Sequence, residues 1–331
     1  MSGSNGKGSR RSVLVTGAAG YIGSLVIESL AADPRGLERI VATDIREPAA
    51  GDLPGGVTWV TLDVRSPDLG DVILAHHIDT VVHLAAIVTP GPGQTRELMY
   101  SVDVEGTKNV LDACLVGGVR KVIITSSGAA YGYHADNLRM VYEDHPLRGN
   151  VEFAYSDHKR IVEQMLAEYR EHHPELEQLI FRVGTILGES VSNQITALFE
   201  KRVVVGLQGS PTPFVFIWDR DVVGVIEAGI HGSGVGIYNV AGDGTMTLRE
   251  IARRLNKPYV TLPPGLVAGA LSVLQRFGLT RYGPEQVGFL QYRPVLANDR
   301  LKSDFGYTPR RTSREVFDLY VRSVQPQRAG R

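Results

Sequence analysis

The chain has 331 residues, 43% hydrophobic and 21% charged, enough to bury one large core with or without a smaller appendage. A net charge of −1 excludes the global basic field by which a protein holds nucleic acid or an anionic membrane. The single cysteine, Cys114, excludes an internal disulfide framework and fits a reducing, cytoplasmic compartment.

Taken in chain order, residues 1–10 (MSGSNGKGSR) read as a disordered leader, with no apolar run behind them to make a signal peptide. A first strand, SVLVTG (12–17), runs into VTGAAGYIG (15–23), which opens a helix. Gly17, Gly20 and Gly23 stand three apart there, so the chain can turn sharply and backbone N–H groups can approach a pyrophosphate at the helix's positive end. Ala19, Tyr21 and Ile22 complete that loop as cofactor-contacting positions. A second strand (39–44) ends in Asp44, 21 residues past Gly23. A carboxylate there accepts from ribose hydroxyls and repels a 2′-phosphate, favouring NAD over NADP despite the nearby Arg46. A third strand (58–64) ends in Asp63 and Val64, placed to meet an adenine edge, although a strand-end cap is an equal reading of Asp63.

Strands at 80–86, 121–127 and 178–184 follow, separated by segments of helical periodicity. β-branched runs alternating with helices imply a parallel sheet covered on both faces, a Rossmann-type doubly wound α/β fold. Within NVLDACLVGG, Cys114 occupies an apolar helical position and reads as a buried structural thiol. We expect a nucleotide-binding domain over 11–188, then a small C-terminal α/β lobe over 189–323 that has room to return strands to the main sheet, then a frayed tail from 324. The apolar segment GLVAGALSVL (265–274) is too short to span a membrane and reads as a helix of that lobe. Nine histidines form no metal-like cluster. His76, His77, His172 and His173 fall at helix ends, His83 packs or caps at a strand end, and His158 is expected to be exposed.

In FAYSDHKR (153–160), Tyr155 and Lys159 share one helical face, a spacing that often arises by chance. Context changes its weight. HLAA (83–86), TSSGAAYG (125–132), YSDHK (155–159) and FRVGTILG (181–188), in that order after the glycine loop, resemble the extended short-chain dehydrogenase/reductase superfamily of NAD-dependent epimerases and dehydratases.

The resemblance implies an NAD-dependent enzyme, commonly a homodimer joined through helices here at about 94–116 and 153–172. Its catalytic serine, tyrosine and lysine would be Ser127, Tyr155 and Lys159. A lysine one turn away, together with the cationic nicotinamide ring, would lower the tyrosine's pKa from its ordinary value of about 10, and Ser127 would hydrogen-bond the reacting oxygen. Leu84, Ala85, Ala86 and Val183 fall on cofactor-side strand ends. On the substrate side the resemblance falters. Thr185 replaces an asparagine that orients a nucleotide sugar, Phe214 replaces an arginine for its diphosphate, and Asp103 replaces another asparagine. Arg293 matches a second phosphate-binding arginine, with a salt-bridging surface residue as the alternative. His134 and Asn137 lie in the long loop 132–150, and Trp218, Phe214 and Phe216 would line a pocket or pack the small lobe. The expected reaction interconverts a secondary alcohol and a ketone. The alternatives are a nucleotide-sugar epimerase or dehydratase with bound NAD, and a non-catalytic NAD-binding regulator.

Overall fold

A computed structural model describes residues 11–49, 51–89, 91, 93–210, 213–280 and 283–324. The leader and nearly all of the tail, from 325, lie outside the described residues.

The elements run β1 (Arg11–Thr16), α1 (Tyr21–Ala32), β2 (Leu37–Asp44), β3 (Val57–Thr61), α2 (Leu69–His76), β4 (Thr80–His83), α3 (Arg96–Tyr100), α4 (Gly106–Val116) and β5 (Lys121–Ser127). Then come α5 (Ala154–His172), β6 (Glu177–Val183), β7 (Thr185–Leu187), α6 (Gln194–Glu200), β8 (Val204–Leu207), β9 (Phe216–Trp218) and α7 (Asp219–His231). The chain closes with β10 (Gly236–Val240), α8 (Leu248–Arg254), β11 (Tyr259–Leu262), α9 (Pro264–Arg276), α10 (Glu285–Gln291), α11 (Asp299–Ser303) and α12 (Ser313–Val324).

Seven parallel strands form one sheet in the order β10-β6-β5-β4-β1-β2-β3. Alternation along β1 shows why both faces must be covered. Val13 and Val15 enter the core shared with α1 and α7, whereas Leu14 enters the core under α2, α4 and α5, and all three are fully buried. The strand order reverses between β1 and β4, and the crevice at the carboxyl ends of these strands is where such sheets hold ligands. β10, from the C-terminal part of the chain, returns to the main sheet beside β6.

Two short pairs, β7–β9 and β8–β11, stand outside the main sheet. They pack a third core around Phe199, Phe214, Phe216 and Phe317, so Phe214 and Phe216 are buried packing residues. Cys114 is fully buried, and burial pushes its thiol pKa up, as a structural thiol requires.

Two strands stop earlier than the apolar runs suggest. β4 ends at His83: Leu84 N–H makes the last ladder bond, to the Thr16 carbonyl, and beyond it Ile87 N–H donates instead to Asp103 Oδ1. β3 ends at Thr61 because Asp63 turns back onto Arg65, accepting from its N–H and its guanidinium.

α5, the helix of the Tyr–Lys pair, is fixed to the sheet by a buried fork. Arg182 on β6 donates to both carboxylate oxygens of Glu163, at 2.8 and 3.0 Å, and its Nη1 donates to Tyr131 Oη and the Glu143 carbonyl. A fully partnered buried ion pair of this kind selects one geometry, and here that geometry orients α5.

Candidate active site

The glycine loop is built backbone against backbone. Gly17 has φ +69°, and a Cβ there would sit 2.6 Å from the Ala85 nitrogen. A Cβ on Gly23 would sit 2.1 Å from the Gly17 carbonyl oxygen. Side chains are excluded at both positions, so β1, the start of α1 and the end of β4 come close together. Gly20 is the N-cap of α1 with no side-chain cap, and no acidic residue stands in the first turn. Positive helix-end charge and free N–H groups therefore face a cavity of about 440 Å³ that Gly17, Gly20, Tyr21, Ile22 and Gly23 line. That is the donor set a dinucleotide's pyrophosphate requires.

Leu84, Ala86, Val183, Ser127, Tyr155 and Lys159 line the same cavity, while Ala19, Asp44, Asp63, Val64 and Ala85 do not. Asp44 still meets the loop: its carboxylate accepts from Ala19 N–H at 3.1 Å and from Arg46 N–H at 3.1 Å and Nε at 3.3 Å. Asp63 is engaged by Arg65, whose hydrogen bonds hold its carboxyl below the usual range. Val64 is buried against Gly106. The Tyr21 hydroxyl donates to Asp219 Oδ2 at 2.5 Å, tying the loop to the start of α7.

β5 delivers Ser127 and α5 delivers Tyr155 and Lys159 to one wall. Ser127 Oγ accepts from Ala129 N–H at 3.1 Å, which orients the hydroxyl, and it hydrogen-bonds Tyr155. Lys159 Nζ donates to the Thr125 carbonyl at 3.0 Å and lies 5.8 Å from the Tyr155 ring centroid. The lowering expected of the lysine and the nicotinamide cation together is not produced by the protein's own residues. Burial dominates and pushes the phenol above its ordinary value, with the Ser127 hydrogen bond opposing. Burial likewise depresses Lys159, opposed by Asp103 and Glu163. In this state Tyr155 is a neutral phenol, a proton donor.

Behind this wall runs a buried polar chain that no sequence pattern discloses. Thr107 Oγ1 donates to the Asp103 carbonyl at 2.6 Å, so it can only accept from His83 Nε2, 3.0 Å away. That assigns the ring proton to Nε2 and leaves Nδ1 to accept from Thr16 Oγ1 at 2.8 Å. Asp103, on a π turn over Ser101–Glu105, accepts from Ile87 N–H with Oδ1, and its Oδ2 lies 3.1 Å from His158 Nδ1. His158 is thus fully buried rather than exposed, because the π turn and Tyr100, ring to ring at 5.5 Å, cover its side of α5.

Burial pushes His83 down to about 3, so the ring is neutral in the folded protein. The unfolded chain protonates near 6.5, so stability is complete above that pH and is lost as pH falls toward 3. Between pH 7 and pH 5 this histidine alone should remove about 2 kcal/mol of stability. Urea denaturation at the two pH values should show that loss in the native chain and a clearly smaller one in His83→Gln.

The substrate side differs more from expectation. Thr185 and Arg293 line the cavity, whereas His134 and Trp218 do not. His134 donates to the Gly149 carbonyl at 2.7 Å, and Asn137 holds the Gly132 carbonyl, so both brace their own loop. Trp218 packs in the third core, with the Arg311 guanidinium 4.6 Å from its ring. Arg293 is no surface salt bridge: its guanidinium lies between the rings of Phe214, at 4.3 Å, and Phe289, at 4.2 Å. Its Nη1 is enclosed with no hydrogen-bond partner among the described residues, and burial lowers its pKa to about 10. Tyr133, Phe153 and Phe289, with centroids 5.0–5.8 Å apart, wall the cavity next to Arg293. Tyr133 and Phe153 flank recognisable motifs. Nothing local in the sequence marks Phe289.

The model of the NAD dependent epimerase/dehydratase family matches residues 13–215. An uncharacterized protein of Mycobacterium tuberculosis is 27% identical over 340 residues, covering 97% of this chain and 90% of its own. The UDP-glucose 4-epimerase of Erwinia amylovora is 31% identical over 193 residues, 56% of each chain, so that match spans about half of the relative's length. Among solved structures, the UDP-glucose 4-epimerase of Thermus thermophilus in complex with NAD is similar with a TM-score of 0.71 and 25% identity, covering 94% of this chain and 98% of that one.

Proposed function

The chain belongs to the NAD dependent epimerase/dehydratase family, and from that premise we propose that it is an NAD-dependent oxidoreductase interconverting a secondary alcohol and a ketone. The observation that carries this reading is the convergence of Ser127, Tyr155 and Lys159 on the cavity floored by the glycine loop.

Gly20, Tyr21, Ile22 and Gly23 would hold the pyrophosphate of NAD, Asp44 would meet the adenosine ribose, and Lys159 the nicotinamide ribose. Bound there, NAD supplies the hydride acceptor or donor. The chain's own residues handle the proton and the orientation. Tyr155 Oη gives its proton to the ketone oxygen in reduction and takes it back from the alcohol in oxidation. Ser127 Oγ hydrogen-bonds the same oxygen and fixes the carbinol carbon. The Lys159 ammonium favours the phenolate when it forms.

Phe214 and Arg293 support the substrate class. The phenylalanine, where the resemblance calls for an arginine, cannot pair with phosphate and stacks on the guanidinium that remains. With Tyr133, Phe153 and Phe289 around them, the wall suits an apolar alcohol better than a nucleotide diphosphate.

A second reading, a nucleotide-sugar epimerase or dehydratase that retains its NAD, is favoured by the enclosed, unpartnered Arg293 nitrogen, which a phosphate would satisfy. The test is a panel of apolar secondary alcohols and UDP-sugars incubated with enzyme and excess NAD. We expect NADH to accumulate in step with ketone from an alcohol. UDP-sugar turnover without net NADH would replace the first reading with the second.

A further inference from the structure

α9 is an apolar helix that buries none of its side chains. Its sequence from Leu266 onward is rich in valine, leucine and alanine, a composition that ordinarily goes to a core. Yet Leu266 is 58% exposed, Val273 56% and Phe277 73%. At 100° per residue these three fall on one stripe, with Leu274 at its edge. The stripe continues into an apolar groove of about 590 Å³ between α9 and β8, where Leu266, Val267 and Leu271 face Val205 and Leu262. Val205 is itself exposed and pairs in register with exposed Val260 on β11. Helix stripe, groove and strand edge therefore form one continuous apolar surface, far larger than scattered exposed side chains account for.

The charge around this surface is mainly positive. From Lys257 to Pro284 the sequence holds no aspartate or glutamate. Exposed Lys201, at the groove's rim, and exposed Arg202 follow α6, and exposed Arg276 ends α9. None of these three forms an ion pair among the described residues. Exposed Glu200 adjoins Lys201, so the three cations outnumber the negative charge at this rim without excluding it. Apolar side chains ringed mainly by cations that make no ion pair among the described residues are the composition of a helix that lies in the plane of an anionic lipid surface. The helix is too short to cross a membrane, and no helix among the described residues is long and apolar enough to do so.

We propose that α9 docks this protein on an anionic lipid surface, with Leu266, Val273, Leu274 and Phe277 entering the acyl boundary and Lys201, Arg202 and Arg276 meeting the headgroups. The net charge of −1 conceals this patch because it averages over the whole chain. The groove beneath α9 shares Gln194 and Phe289 with the active-site cavity, so docking opens that cavity's apolar side toward the lipid. The docking itself does not depend on which reaction the cavity performs.

The test is co-sedimentation of the full chain with phosphatidylcholine vesicles, with and without phosphatidylglycerol. We expect pelleting with phosphatidylglycerol vesicles, release on raising salt, and little pelleting with phosphatidylcholine alone. The combined variant Leu266→Glu/Val273→Glu/Phe277→Glu should lower the bound fraction at least about ten-fold while NAD binding is kept. A second variant, Lys201→Glu/Arg202→Glu/Arg276→Glu, leaves the apolar stripe intact and should release the protein as well. Failure to bind either vesicle, equal binding to both, or undiminished binding by both variants would overturn the proposal. So would light scattering that shows a dimer the first variant makes monomeric, because a second copy would then cover the face.

Discussion

Tyr155→Phe should lower turnover by about 10²–10⁴-fold while leaving NAD affinity within about two-fold of the native value. The expectation follows from what the substitution keeps. The ring retains its place 6.5 Å from Phe153 and near the Lys159 ammonium, so the wall of the cavity survives. Only the hydroxyl is lost, and with it the one group that shares the Ser127 hydrogen bond and can carry a proton to substrate oxygen. Single-turnover kinetics and NAD titration calorimetry separate the two effects. A joint loss of binding and turnover would instead mark Tyr155 as a packing residue of the cofactor pocket.

Gly23→Ala carries the second large effect. A methyl group there would lie 2.1 Å from the Gly17 carbonyl oxygen and 2.8 Å from the Ala18 Cα, both backbone atoms that cannot rotate aside. α1 must move away from the loop, which separates the N–H donors from the position they hold against the cavity. Over-packing of this kind costs about 1–3 kcal/mol, and NAD affinity should fall about 10–100-fold. Gly55→Ala, where an added Cβ meets nothing within 4 Å, should leave affinity unchanged in the same titration.

These two residues belong to the part of the molecule that sequence reading reaches well, and the reason is physical. Glycines at fixed spacing, a strand-end serine and a Tyr–Lys pair one helical turn apart are local patterns. Each is imposed by a backbone approach or a helical repeat, so each is visible in a short window. The parallel sheet is legible for a similar reason, since the middles of β1 (13–15), β5 (122–124) and β6 (179–181) are buried on both faces and are wholly apolar.

Long-range pairing is much less legible. His158 reads as exposed because its own helix offers no partner, and its partner, Asp103, lies 55 residues earlier on a π turn. The sandwich of Arg293 by Phe214 and Phe289 likewise joins segments that no periodicity connects. The strand ends at 83 and 61 are easily overrun, because apolar character continues past the point where the backbone is diverted to Asp103 and Arg65. His134 and Trp218 are plausible substrate contacts by chemistry. The structure gives them a carbonyl and a packed core instead.

The central claim is that Tyr155 serves a hydride transfer between NAD and the carbinol carbon of the substrate. Its most direct test takes the alcohol that turns over in the substrate panel, labelled with deuterium at that carbon, and follows a single turnover by mass spectrometry of the cofactor. The account predicts deuterium on the reduced nicotinamide in the native enzyme and none within the same time in Tyr155→Phe. Product formed without label on the cofactor, or equal transfer in the variant, would contradict it.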